Sequence, residues 1–135
     1  MTQNEKELLL KDLCARLPYG VKAYVKHWAK LDWKYYEGVF TVKSVHTSLN
    51  DIIYASSEKY GVEVILGHTD YVIKPYLFPL SSMTEEQLLE LSSISFENSI
   101  DSSIKTLNWC YKNHLDINNL IPMGLANDAT GLNIY

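Results

Sequence analysis

The stretch KAYVKHWAKLDWKYY, from Lys22 to Tyr36, is where the chain concentrates side chains able to hold a ligand. Lys22, Tyr24, Lys26, Trp28 and Lys30 fall at every second position, so a strand running through all five places them on one face. Trp33, Lys34, Tyr35 and Tyr36 follow in the next loop or strand. Cations interleaved with aromatic rings on a small barrel suit single-stranded nucleic acid, with bases stacked on the rings and lysines on the phosphates. A nucleotide or a protein surface can use the same groups. The plainer reading is a solvated sheet face whose lysine stems lie over aromatics. It takes precedence because the formal net charge is −4, the wrong sign for a strong nucleic-acid binder.

Other reactive residue types are scattered. His27, His46, His68 and His114 show no His or Cys partner at zinc-ligand spacing, so no metal site is expected. His27 alternates inward with Val25 and reads as a satisfied core histidine. Cys14 and Cys110 both lie in apolar helical patterns, which points to buried, reduced thiols rather than a disulfide or a nucleophile. Six glycines never cluster into a phosphate-cradling loop. Glu85, Glu86 and Glu90 resemble paired carboxylates, but the first turn of a helix accounts for two of them. No catalytic residue and no cofactor is assigned.

Several elements must position these residues. Leu10, Leu13, Cys14 and Leu17 follow the spacing of one buried helical face, so a helix is predicted from about Asn4 to Leu17, capped by Asn4 or Thr2 and stopped by Pro18. Val21, Ala23, Val25 and His27 then alternate with Lys22, Tyr24, Lys26 and Trp28, the period of a half-exposed strand. Glu37–Val45 and Asp51–Ser56 read as further strands, and Gly61–Lys74 as two strands around a turn at Gly67–Asp70. Pro75 and Pro79 argue against a long regular element between them. Thr84 and Gln87 form a capping-box pattern, with Met83 and Leu88 placed as a hydrophobic staple. The other use of this region is a docking motif anchored by Tyr76, Leu77 and Phe78. A third helix is expected from Asp101 to His114. Ile104, Leu107, Asn108, Tyr111 and Leu115 share one of its faces, and Trp109 lies opposite, either packed on a second element or exposed. The tail is irregular, pinned by Leu120, Ile121, Met123 and Leu125.

The charge is uneven: ten Lys/Arg against nine Asp/Glu up to Ser82, then two against seven. No apolar run approaches the roughly 18 residues of a membrane span, and the N-terminus lacks the basic and apolar regions of a secretory signal.

Three blocks, LCARLPYGVK (residues 13–22), IKPYLFPLSSMTEEQ (73–87) and NLIPMGLANDATGLNIY (119–135), are similar in sequence and order to a group of small uncharacterised proteins. That group is encoded by phages, prophages and mobile elements of gut bacteria. The resemblance implies a phage or prophage origin and an intracellular setting, and no reaction.

The expected architecture is a single α+β domain over residues 1–135. A helix (1–18) is followed by a small curled antiparallel sheet of about five strands (19–82), SH3-like or an open meander. A helical region with two helices and a pinned tail follows (83–135). The expected role is a non-enzymatic binding module in the cytoplasm of a bacterial host, with a protein partner favoured over single-stranded nucleic acid or a nucleotide. An enzyme is the competing class, favoured by a pocket that holds two or more of His27, His46, Glu63 and Asp70.

Overall fold

The computed structural model describes residues 1–47, 50–96 and 98–135. Helix α1 (Gln3–Arg16) starts at Thr2, whose hydroxyl accepts from the Glu5 N–H while Glu5 accepts from the Thr2 N–H. This reciprocal box satisfies two of the N–H groups that a helix start leaves open. The buried face differs from the predicted stripe. Leu9, Asp12, Leu13 and Arg16 are buried and Cys14 is exposed. The spacing rule holds one position earlier, in a phase that includes two charges. Asp12 and Arg16 are both 0 % exposed. Arg16 Nε and Nη2 donate to the two Asp12 oxygens at 2.7 and 3.0 Å. Nη2 also donates to the Leu115 carbonyl at 2.6 Å, and Asn118 Nδ2 donates to Asp12 at 2.8 Å. Because each charge neutralises the other, the helix can turn this face inward.

A 3-10 turn (Leu17–Tyr19) ends at Gly20, which takes the left-handed conformation that favours glycine. The chain then enters a six-stranded sheet: β1 (Lys22–Ala29), β2 (Lys34–His46), β3 (Ile52–Ser56), β4 (Gly61–Ile65), β5 (Tyr71–Leu77) and β6 (Asn127–Asp128). The order is β4-β3-β2-β1-β5-β6, antiparallel except for the β5–β6 pair. Among the described residues no ladder joins β4 to β5, so the sheet is open and not a closed SH3-like barrel. The sixth strand comes from the tail. It pairs beside Tyr76 and Leu77, where β5 would otherwise present an unpaired edge.

Strand β5 runs through Pro75, contrary to the expected break. Pro75 pairs with Ala23 on one side, and β6 begins only at Tyr76 on the other. Proline is tolerated at such a partial edge. The main core lies between α1 and the inner sheet face, with Leu9, Leu13, Val25, Phe40, Ile53 and Val64 at its centre and Leu120 and Leu125 closing it from the tail. Met123, expected to pin the tail, is exposed.

Helix α2 (Glu85–Ile94) begins with the predicted box: the Thr84 hydroxyl accepts from the Gln87 N–H, and Gln87 Oε1 accepts from the Thr84 N–H. Met83 packs on a second, smaller core, while Leu88 is exposed. Helix α3 (Ile100–Lys112) contributes Trp109 and Cys110 to that core, beside Leu115, Phe78, Leu91 and Ile94. It ends in a Schellman arrangement: Leu115 N–H donates to the Cys110 carbonyl and His114 N–H to the Tyr111 carbonyl. His114 holds the left-handed position at φ +57. The segment is tied to the sheet by Phe78, whose N–H donates to the His114 carbonyl and whose carbonyl accepts from the Asp116 N–H.

Removing one member of a buried ion pair strands the other, which costs about 3–5 kcal/mol. Losing an N-cap costs roughly 0.5–2 kcal/mol. In urea denaturation Asp12→Ala is expected to lower stability well beyond Thr84→Ala, with both below wild type. Equal midpoints for the two variants would show that the pair is not the stronger constraint.

Candidate binding surfaces

Val21, just before β1, enters the core with Ala23 and Val25 of the strand, while Lys22, Tyr24, Lys26 and Trp28 turn outward. The register sets Glu37 opposite Lys26 and Tyr35 opposite Trp28 on β2, and Lys74 opposite Tyr24 on β5. The Tyr24 hydroxyl donates to Glu37 at 2.6 Å, and this bond, followed by desolvation, pushes its pKa up to about 12. Lys26 Nζ lies 5.3 Å from the Tyr35 ring centre. Trp28 has Trp33 edge-on at 6.2 Å and Tyr35 tilted at 6.0 Å.

The seven residues singled out in the sequence separate into two ends. Lys22 is held at one end by the tail. Its ammonium donates to the Ile134 carbonyl at 2.7 Å. Lys30, Trp33 and Lys34 lie at the other, around the β1–β2 turn. Lys30 falls just outside the strand and pairs with Asp70 at 3.2 Å. Trp33 is 80 % exposed, so the free aromatic surface belongs to the turn rather than to the strand.

His27 is not a satisfied core histidine. It is half-buried and stacks on Tyr71 at 4.3 Å and Tyr36 at 5.9 Å, and its Nδ1 is buried without a hydrogen-bond partner. Burial lowers its pKa, with Asp70 opposing. A cleft of about 310 Å³ holds His27 with Glu63, and a neighbouring one of about 380 Å³ holds His27 with Asp70. These are pairings that favour an enzyme. Among the described residues no carboxylate bonds to the His27 imidazole, whereas in the second cleft His68 Nδ1 lies 3.8 Å from Asp70 Oδ2. Among the described residues no group of His, Cys, Asp or Glu converges as a metal centre. None of their helices is long and apolar enough to cross a membrane.

Helix α3 settles which of its faces is buried. Ser102, Trp109 and Cys110 turn inward, while Ile100, Ile104 and Leu107 are 82 %, 51 % and 48 % exposed. Trp109 is the residue that packs on a second element, and the apolar stripe opposite it faces outward. Phe96 and Leu89, on the connection and on α2, are also exposed, at 88 % and 72 %.

Sequence reasoning missed the role of Tyr135. The β1–β5 ladder ends at Ala23–Pro75. At the next rung the Tyr135 hydroxyl accepts from the Lys22 N–H at 2.9 Å and donates to the Tyr76 carbonyl at 2.8 Å. Its ring stacks on His114 at 3.6 Å, and the Lys22 ammonium lies 5.9 Å from its centre. Burial, then Arg16 and Lys22, lower the His114 pKa to about 4. Only an isolated aromatic at the end of an irregular tail marks this contact in the sequence. Comparison with family models, with curated proteins and with solved structures gives no match.

Two outcomes follow. The exposed Cys14 should react rapidly with a thiol reagent in the native protein, whereas Cys110, buried and with its pKa raised by desolvation, should react only on unfolding. Two slow native phases would place Cys14 back in the core. The unfolded chain protonates His114 near 6.5, before the folded one does near 4. Stability should therefore fall as pH drops from 6.5 to 4, by on the order of 3 kcal/mol from this group. His114→Phe should flatten that part of the profile; an unchanged slope would assign it elsewhere.

Proposed function

We propose that this protein is a non-enzymatic binding module that holds a protein partner on the outer face of α2–α3. It acts as a phage- or prophage-encoded accessory protein in the cytoplasm of a bacterial host, where such a module can occupy a host factor and block it. The observation that carries this reading is the stripe Ile100, Ile104 and Leu107. It follows the i, i+4, i+7 rule of a buried face, yet it lies opposite the face that packs on the protein. Burying one such side chain stabilises a complex by about 1.5–3 kcal/mol, so a stripe of this kind is an efficient anchor. Glu85, Glu86 and Glu90 are exposed on α2, while Asp101 on α3 is paired with Lys105 at 3.2 Å. The matching partner surface is therefore apolar with a basic rim. The sequence resemblance supports the setting.

A second reading rests on Trp33. Its exposure beside Lys34 and Lys30 suits stacking of an unpaired base. Lys30 is already engaged by Asp70, and Trp28 is covered by two rings, so this surface offers less than the helical one.

The test uses wild type and the double variant Ile104→Asp/Leu107→Asp. Surface changes of this type are expected to alter stability by no more than about 0.5 kcal/mol. A host protein captured by wild type should be purified and its affinity measured against both forms. The expected result is a 1:1 complex whose Kd rises at least about tenfold in the variant. Sedimentation of the chain alone should give a monomer. A dimer dissolved by the same substitutions would make the stripe an interface between copies and overturn the proposal. Equal affinity of both forms would also overturn it.

A further inference from the structure

We propose that the groove beside the bulge of β2 binds a small phosphorylated ligand with at least two phosphate charges, of the nucleoside-diphosphate class. It is separate from the α2–α3 stripe and does not depend on the protein-partner reading. The groove is open to solvent, has a volume of about 590 Å³ and is lined by Lys22, Lys43 and Lys59, with Thr41, Ser56 and Val39. Its volume falls in the roughly 300–1,000 Å³ range of small-ligand sites.

Backbone register assembles it. Lys22 pairs with Thr41 and Thr41 with Ser56, so a cation and two hydroxyl residues form one row across β1, β2 and β3. The β2–β3 register then shifts between Val42 and Ser44. Lys43 is the extra residue of this bulge and is exposed between the rungs Val42–Ala55 and Ser44–Tyr54. A bulge is a device for re-aiming a side chain. Lys59 is positioned by the β3–β4 turn, where the Ser57 hydroxyl accepts from the N–H groups of Lys59 and Tyr60 at 3.3 and 3.4 Å.

The charges are unmatched. Lys43 and Lys59 enter no ion pair among the described residues, and the Lys22 ammonium donates to a carbonyl rather than a carboxylate. Glu58 is the one acid in the lining. Three ammonium groups against one carboxylate is a local inversion in a chain of net charge −4. Phosphate oxygens suit such a set, because charge-assisted bonds to lysine are about twice as strong as neutral ones. Thr41 and Ser56 add hydroxyl donors, and the exposed Val39 side chain offers an apolar floor to the rest of the ligand. Tyr135 takes part as a positioning residue, because it holds Lys22 at the end of the β1–β5 ladder.

Calorimetric titration of the full chain with pyrophosphate, a nucleoside diphosphate and the unphosphorylated nucleoside tests this. Saturable binding is expected for the first two and none for the nucleoside. Affinity should fall with added salt. Lys43→Glu and Lys59→Glu should each raise Kd at least about tenfold with an unchanged denaturation midpoint. Lys11→Glu, exposed on α1 and outside the groove lining, should bind as wild type. Absence of saturable binding overturns the proposal, as does equal affinity in Lys43→Glu. A short single-stranded oligonucleotide that binds more tightly than the diphosphate, and is lost in Trp33→Ala, would assign the phosphates to nucleic acid and overturn it too.

Discussion

The buried ion pair between Asp12 and Arg16 is the constraint on which the rest of the structure turns. A lone buried charge costs several kcal/mol, so α1 can face inward in this phase only if every oxygen and most of the donors are matched. The matching groups come from far along the chain: the Leu115 carbonyl, the Asn118 amide and the Tyr111 ring, 5.0 Å below the guanidinium. Closing that set requires the segment after α3 to return to α1. Once it has returned, Asp116 accepts from the N–H groups of Leu120 and Ile121, and the tail is directed into the main core. The first helix, the end of the third and the sheet edge are thereby ordered together.

This closure also divides the molecule. The main core is filled by sheet, α1 and tail. The second core is small, built on Trp109, Cys110 and Leu115. A helical hairpin resting on so small a core has one face to bury and one left over. The left-over face of α3 is apolar, which explains why that helix looks amphipathic in the sequence with the wrong side turned to the protein. The electrostatics divide in the same way. Lys43 and Lys59, which enter no ion pair among the described residues, line the groove beside β2 and β3, while Glu85, Glu86 and Glu90 are exposed on α2.

Local chemistry was legible from the sequence wherever a short-range rule decides the outcome. The Thr84–Gln87 box is complete within four residues, and the alternation of Val21, Ala23 and Val25 with Lys22, Tyr24 and Lys26 needs only the pleat. The α+β class, the first helix and the succession of strands follow from such rules. Of the candidate site, the outward position of Lys22, Tyr24, Lys26 and Trp28 was readable in the same way.

Only the tertiary structure decided which charges are neutral partners and which surfaces are left over. The phase of α1 depended on Asp12 finding Arg16 and both finding residues 111–118, so an all-apolar stripe through Cys14 lost to a stripe with two charges in it. The exposed stripe on α3 depended on Trp109 having a core to enter. The groove depended on a one-residue slip beside Lys43, which no composition marks, because a bulge is a property of two strands in register rather than of one. Periodicity is written in each segment alone. Burial, pairing and register are relations between segments, and they become definite only when distant parts of the chain meet.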